Sequence, residues 1–197
     1  LRLAAGLLLL LAIHGAIVHR AGRTGPPMGT GAWALETGLP LTPGAILPEK
    51  AMLIASAEGA EATLTDGSIV RLDGGSRVMF RRSLMGSPVF VLQAGRLEAH
   101  VAHQPLGSRF TVETDLGSVE VVGTRFTVTR GRETVEIHET SADTNRSFQD
   151  NVERMRVDVE EGAVRVESRG ERVIVRAGQK ATVRANHRWI DVRGTED

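Results

Sequence analysis

The side chains with chemical potential in this chain fall into small, scattered groups. His100 with His103, and His138 with Glu139, come nearest to metal-ligand spacing. Positions three apart on an extended strand face opposite ways, so His100 and His103 cannot hold one ion without a bend at Ala102. His138 and Glu139 meet the same objection, and no His-x-x-x-His or Glu-x-x-His helix pattern rescues either pair. His187, two residues before Trp189, reads as an exposed turn residue. Carboxylates for acid–base work can be drawn on paper from Glu133, Glu136, Glu139, Glu160 and Glu161. These alternate with Val135, Ile137, Val157 and Val159, the pattern of a solvated strand face over a buried one, suited to cross-strand Arg–Glu pairing. Ser68, Ser76 and Ser118 lie in turn contexts with no nucleophile elbow around them. The absence of Cys removes thiolate nucleophiles, thiolate metal sites, disulfides and a lipid-modified cysteine. No catalytic, cofactor-binding or metal residue is therefore assigned, no cofactor is expected, and an enzyme is disfavoured.

The elements that position these residues are strands. After Ala51 short runs alternate apolar and polar residues, with Gly or Asp turns every eight to twelve positions. Candidate strands are Met52–Ser56, Ala60–Leu64, Ile69–Leu72, Arg77–Arg81, Val89–Gln93, Arg96–Ala102, Phe110–Thr114, Ser118–Val122, Arg125–Arg130 and Thr134–His138. Arg154–Glu160, Ala163–Glu167, Arg172–Arg176, Lys180–Arg184 and Arg188–Val192 continue the pattern. Between the two runs, Thr140 to Asn151 is rich in Ser, Asp, Asn and Thr and reads as a long surface loop. Asp66-Gly67-Ser68 predicts a type I′ hairpin turn. Asp73-Gly74-Gly75-Ser76 predicts another turn, and not a phosphate loop, because the Lys and following helix are missing. Gly95, Gly162 and Gly178 each sit between alternating runs and predict strand–turn–strand units. Gly123-Thr124 lies between apolar strands, where a small residue permits a bulge or close backbone approach and Thr satisfies a local backbone group. Phe80, Phe90, Phe110, Phe126 and Trp189 are expected in the core.

Ahead of the strands, Leu3 to Ile13 is apolar without interruption and nearly so to Val18, flanked by Arg2, His19 and Arg20. As a helix, Leu3 to Val18 would span about 24 Å, short of a roughly 30 Å hydrocarbon core, with Arg2 and Arg20 placed to snorkel. Two readings stand: an uncleaved membrane anchor, and a secretory signal peptide whose cleavage signal at His14-Gly15-Ala16 is poor. The anchor is favoured, although Arg20 and Arg23 against Arg2 run weakly against an exported domain. Ala21 to about Pro48 turns to Gly, Pro and Thr and predicts a tether. The expected organisation is thus a transmembrane helix over residues 1–20, a linker over 21–43, a β domain over 44–192 and a tail over 193–197.

Charge excludes one class of partner. Lys plus Arg number 24 against 24 Asp plus Glu, and only Lys50 and Lys180 among the basic residues are Lys, so nothing suggests nucleic-acid binding.

Six blocks, in order, carry a resemblance: Ala62 to Leu72 with its Asp66-Gly67-Ser68 turn, Val91 to Ala102, Arg109 to Thr114, Val119 to Val128 around Gly123-Thr124-Arg125-Phe126, Val157 to Val164, and Ala177-Gly178-Gln179. From about Gly44 to Val183 the chain resembles the FecR domain family, named for the membrane-bound regulator of ferric-citrate uptake. The resemblance implies an exported, largely β domain behind a single membrane helix, signalling across a bacterial inner membrane. In the best-known members a cytoplasmic segment holds or activates an extracytoplasmic-function sigma factor, and the periplasmic part receives a signal from an outer-membrane transporter. No sigma-binding segment precedes Leu1, which truncation would explain and a simple exported module would explain equally, and no extra signalling domain is expected after the β region. The fold expected is all-β, a two-layer sandwich or flattened roll of short strands behind one transmembrane helix. The function expected is a periplasmic receiver working by protein–protein contact, through an exposed sheet edge or the 140–151 loop, with a sigma factor inside and a transporter or envelope protein outside. The alternative is an envelope scaffold with no transcriptional role.

Overall fold

The computed structural model describes residues 28–42, 44–104, 107–141 and 144–194. The expected membrane helix, the first part of the expected linker and the last residues of the expected tail lie outside them. The described residues are all-β, and no helix among them is long and apolar enough to cross a membrane.

Among the described residues, fourteen strands form one hydrogen-bonded sheet. They are β1 (Met28–Leu35), β2 (Pro40–Leu41), β3 (Met52–Thr63), β4 (Ile69–Leu72), β5 (Arg77–Arg82), β6 (Pro88–Val101) and β7 (Phe110–Thr114), followed by β8 (Gly117–Val121), β9 (Thr124–Ser141), β10 (Thr144–Glu161), β11 (Ala163–Ser168), β12 (Glu171–Arg176), β13 (Gln179–Arg184) and β14 (Asp191–Gly194). The sheet doubles over because its long strands change neighbours part-way. The first half of β6 lies between β5 and a parallel β7, and its second half between β4 and β9. β3 likewise pairs with β5 through Met52 to Ile54 and with β4 through Ala60 to Thr63. Inward-facing alternate residues of both layers meet in one core. Phe80, Phe90, Phe110 and Phe126 run through it at centroid spacings of 5.3, 5.5 and 6.4 Å, the last an edge-on contact from β7 to β9. Among the described residues the strands thus belong to one sheet and not to two separate ones.

The bends explain where the expected strands merged. Gly95 has the expected positive φ of 95°, yet the chain does not reverse there: β6 runs straight through, with a register shift opposite Arg77/Val78. A Cβ at Gly95 would lie 2.3 Å from Ser76 Oγ and 2.7 Å from its Cα. Buried Ser76 fixes the corner by donating its hydroxyl to the Arg96 carbonyl at 3.2 Å and accepting the Arg96 N–H at 3.0 Å. Gly162 and Gly178 form a second corner. There β10 continues into β11 and β12 into β13, side by side, with φ of 80° and 75° at the two glycines. Three glycines expected to turn the chain back instead carry strands from one layer to the other.

Four further expectations are corrected. The linker expected over 21–43 already contains β1 and β2: Trp33 is 2 % exposed, and its indole N–H donates to the Glu61 carbonyl at 2.9 Å. Pairing with β3 overrides the weak strand preference of Gly29 and Gly31. Of the loop expected over 140–151, the described residues are strand, since β9 reaches Ser141 and β10 starts at Thr144, paired one-to-one; cross-strand hydrogen bonding outweighs a polar, turn-like composition. The tail expected from 193 begins later, as β14 includes Arg193 and Gly194. The turn at Asp66-Gly67 is not type I′. That type needs positive φ at both central residues, whereas among the described non-glycines only Lys50 and Arg169 have it. Here Gly67 alone turns left-handed, closing a Leu64–Ser68 loop whose Leu64 N–H donates to the Ser68 carbonyl at 2.8 Å.

Replacing Gly95 by Ala combines forbidden φ with a clash against a buried backbone, and we expect it to destabilise the fold by more than about 2 kcal/mol. Gly67→Ala shares the positive φ, but nothing lies within 4 Å of the added Cβ, so its cost is about 1 kcal/mol. Urea unfolding of both variants checks the ordering; equal losses would contradict the corner.

Candidate docking surface

The residues singled out for chemistry do not converge. His100 and His103 are both exposed, and among the described residues no group of three His, Asp or Glu would hold a metal ion. The side chains of His138 and Glu139 lie outside the described residues. Glu133 sits between Arg154 and Arg184, each 3.0 Å away, while Glu160 and Glu161 lie 4.0 and 3.8 Å from Arg125. The Ser and Gly motifs serve the backbone. Ser68 Oγ accepts the Ala102 N–H at 3.0 Å, and Asp66 accepts from the buried Gln104 amide at 2.6 Å. Thr124 Oγ1 donates to the Ala163 carbonyl at 3.0 Å, a partner 39 positions away, and a Cβ on Gly123 would come within 3.2 Å of His103 Cα.

Cross-strand Arg–Glu pairing occurs where strand neighbours oppose one another. Arg71 bridges Glu61 at 2.8 Å and Glu98 at 3.9 Å across β3, β4 and β6, and Glu167 meets Arg172 at 2.8 Å across β11 and β12. On the outer face of β5 to β8 and β11 this pairing floors a groove. Arg81 Nη2 reaches both Glu113 carboxylate oxygens at 2.7 Å, and Glu120 accepts from Arg109 at 2.6 Å and Arg165 at 3.1 Å. Val89, 3 % exposed and facing away from Phe90, lies beneath them.

The rim is apolar. The β5–β6 turn folds tightly, its Ser83 N–H donating to the Ser87 carbonyl at 2.9 Å and its Ser87 N–H to Ser83 Oγ at 3.1 Å. That turn holds Leu84 fully in solvent, with Met85 80 % exposed beside it. Together they overhang a groove of about 690 Å3. A smaller groove of about 210 Å3, which shares Arg109 and Glu120, extends it toward the exposed Val122 and Ile174. Matched ion pairs with an apolar rim suit a protein partner: exposed pairs contribute little affinity and set orientation, while burying Leu84 and Met85 contributes about 1.5–3 kcal/mol each. Sequence reasoning missed these two. The available signal was an apolar pair at a hairpin tip, Ser83-Leu84-Met85-Gly86-Ser87, where turn residues are usually polar.

Trp189, expected in the core, is 61 % exposed and packs its ring 5.1 Å from that of His187. The segment ahead of β14 is held from outside, by Arg169 on the Ala185 carbonyl at 2.6 Å and Glu171 on the Ile190 N–H at 2.8 Å, and only Ile190 turns inward.

With this geometry in place the relatives can be compared. The family model described as FecR protein matches residues 51–165, more than half of the chain. The chain belongs to the FecR family. Two crystal structures of a proposed anti-sigma factor from Parabacteroides distasonis ATCC 8503, at 1.65 and 2.50 Å resolution, share the fold with TM-scores of 0.53 and 0.54. Each is 19 % identical in sequence; the matches cover 72 % and 73 % of this chain and 57 % and 59 % of theirs, so it spans less than three-fifths of those proteins. No curated protein matches it.

The most enclosed charge cluster lies where β9 and β10 leave the body. Arg130, 8 % exposed, donates to both Asp115 oxygens at 2.7 and 2.9 Å and to Glu153, which Arg132 also holds at 2.6 Å. The Arg130 guanidinium keeps the Asp115 carboxyl below its ordinary range, and hydrogen bonds from Arg132 and Arg130 do the same for Glu153. Carboxyls with lowered folded values contribute stability that is complete above their unfolded values, about 4, and lost as pH falls through the folded ones. Stability should therefore fall on acidification below about pH 4–5. Asp115→Asn should flatten that dependence in urea unfolding measured from pH 7 to 3; an unchanged slope would contradict the assignment.

Proposed function

We propose that this domain is the exported receiver of a single-pass inner-membrane protein that regulates an extracytoplasmic-function sigma factor. Its apolar leader serves as the anchor, and a protein partner outside the cytosol docks on the Leu84–Met85 groove. The observation that carries this reading is the FecR family match over residues 51–165, with fold likeness to a proposed anti-sigma factor behind it. The groove supports it physically, because it offers shape and apolar contact where the polar groups are already paired to one another. Docking would change how the anchor is presented at the cytoplasmic side, a shift between states that requires the partner to bind one of them more tightly.

The test is affinity capture of the full-length protein from its native membranes. A sigma factor and an envelope or transporter domain should both be recovered. Leu84→Asp combined with Met85→Asp should weaken the outer contact by about 100-fold while leaving sigma-factor recovery intact. Recovery of neither class of protein would sink the proposal, and an envelope partner without any sigma factor would turn it into a scaffold.

A further inference from the structure

One layer of the sheet ends in an open edge. β12 pairs with β11 along its whole length, from Ala163↔Arg176 to Ser168↔Glu171, and among the described residues with no other strand. Arg169 and Gly170, both at positive φ (50° and 85°), form the two-residue turn between them. In such a hairpin the residues flanking the turn exchange both backbone hydrogen bonds, and every second pair after them does the same. Glu171, Val173 and Val175 therefore bond to β11, while the N–H and C=O groups of Arg172, Ile174 and Arg176 point away from it. Gln179 marks that direction at the far end, its Oε1 accepting the Arg176 N–H at 2.8 Å. The backbone groups of Arg172 and Ile174 have no such cap among the described residues.

Edges of this kind are ordinarily blunted by proline, lysine or a bulge. β12 has none of these: its register with β11 runs without a shift, and its centre, Val173-Ile174-Val175, is β-branched throughout. Its outward side chains continue the docking surface. Ile174, 46 % exposed and opposite Arg165, walls the smaller groove, whose Arg109 and Glu120 also line the Leu84–Met85 groove. Arg172 and Arg176 share that face with Ile174. Arg172 is held by Glu167 at 2.8 Å, whereas the exposed Arg176 meets no carboxylate among the described residues.

We infer that the partner of the Leu84–Met85 groove extends along this surface and adds one strand to β12, an extended segment with an apolar residue against Ile174 and an acidic residue, two positions away, against Arg176. The inference rests on the docking reading above and says how the partner holds on. Main-chain hydrogen bonds to Arg172 and Ile174 supply the attachment, and side chains at alternate positions supply the choice of sequence. A second copy of β12 fits less well. The one acid in the strand, Glu171, lies on the opposite face, so no antiparallel register brings it to Arg176.

The probes are synthetic eight-residue peptides, one of alternating Glu and Val and one of alternating Lys and Val, added to the full chain. The Glu–Val peptide should bind the more tightly and slow hydrogen exchange at the Arg172 and Ile174 amides, the two that β11 leaves free. Ile174→Pro deletes an outward N–H while Val173 and Val175 keep the ladder to β11, and should weaken the Glu–Val peptide about fivefold. Arg176→Glu, which removes no ladder bond, should reverse the order of the two peptides. Leu84→Asp with Met85→Asp should leave both peptides unchanged. A partner captured from membranes that yields to the Leu84 and Met85 substitutions but resists Ile174→Pro and Arg176→Glu would keep the groove and overturn the added strand. Exchange slowed elsewhere than on β12, a peptide order indifferent to Arg176→Glu, or β12 amides protected by dimer formation without peptide would overturn it as well.

Discussion

A continuous sheet can cover both sides of one core only where its strands are able to bend, and here that capacity rests on the contact between Gly95 and Ser76. The missing side chain at Gly95 lets β6 pass across Ser76, whose hydroxyl accepts the Arg96 N–H and donates to the Arg96 carbonyl, which Asp73 N–H also reaches. β6 is the strand shared by β4, β5, β7 and β9, so the alignment of both layers, and of the run of four phenylalanines between them, follows from this one bend. The second corner at Gly162 depends on the same principle and is braced from the side: Thr124 bonds the Ala163 carbonyl next to it. The Gly123-Thr124 element, part of one of the blocks that carry the family resemblance, thus acts as an architectural brace.

Outside the core the sheet is held in register by charge. Arg and Glu alternate along the outward faces and find each other across neighbouring strands, so a surface dense in ionisable groups carries little net field. Departures from this balance are the informative places. The clearest is the bare apolar tip at Leu84 and Met85, where a protein has cause to meet something else.

Much of the fold was legible because period-two alternation survives in nearly every strand: Ile69–Leu72 and Phe110–Thr114 form over the very residues the pattern marks. The corners were not legible as corners. A positive φ at glycine is common to a hairpin and a bend, and only the pairing partners distinguish them, so Gly95, Gly162 and Gly178 read as turns. β1 was hidden for a different reason: in Met28-Gly-Thr-Gly-Ala-Trp-Ala-Leu35 the composition signals a tether, while the evidence for a strand resides in its partner β3, far along the chain. The far ends of β9 and β10 were obscured by polar residues whose strand character comes from cross-strand bonding alone. Of the docking surface, the Arg–Glu pairing was readable and the apolar tip was not weighed.

β1 and its indole also give the protein a built-in optical contrast. The chain's two tryptophans occupy opposite environments: Trp33 is sealed in the seam between the first strand and β3, and Trp189 lies against His187 at the surface. Peeling away of the N-terminal strand would wet the first indole and leave the second untouched, so quenching and emission colour distinguish loosening of that seam from loss of the whole structure.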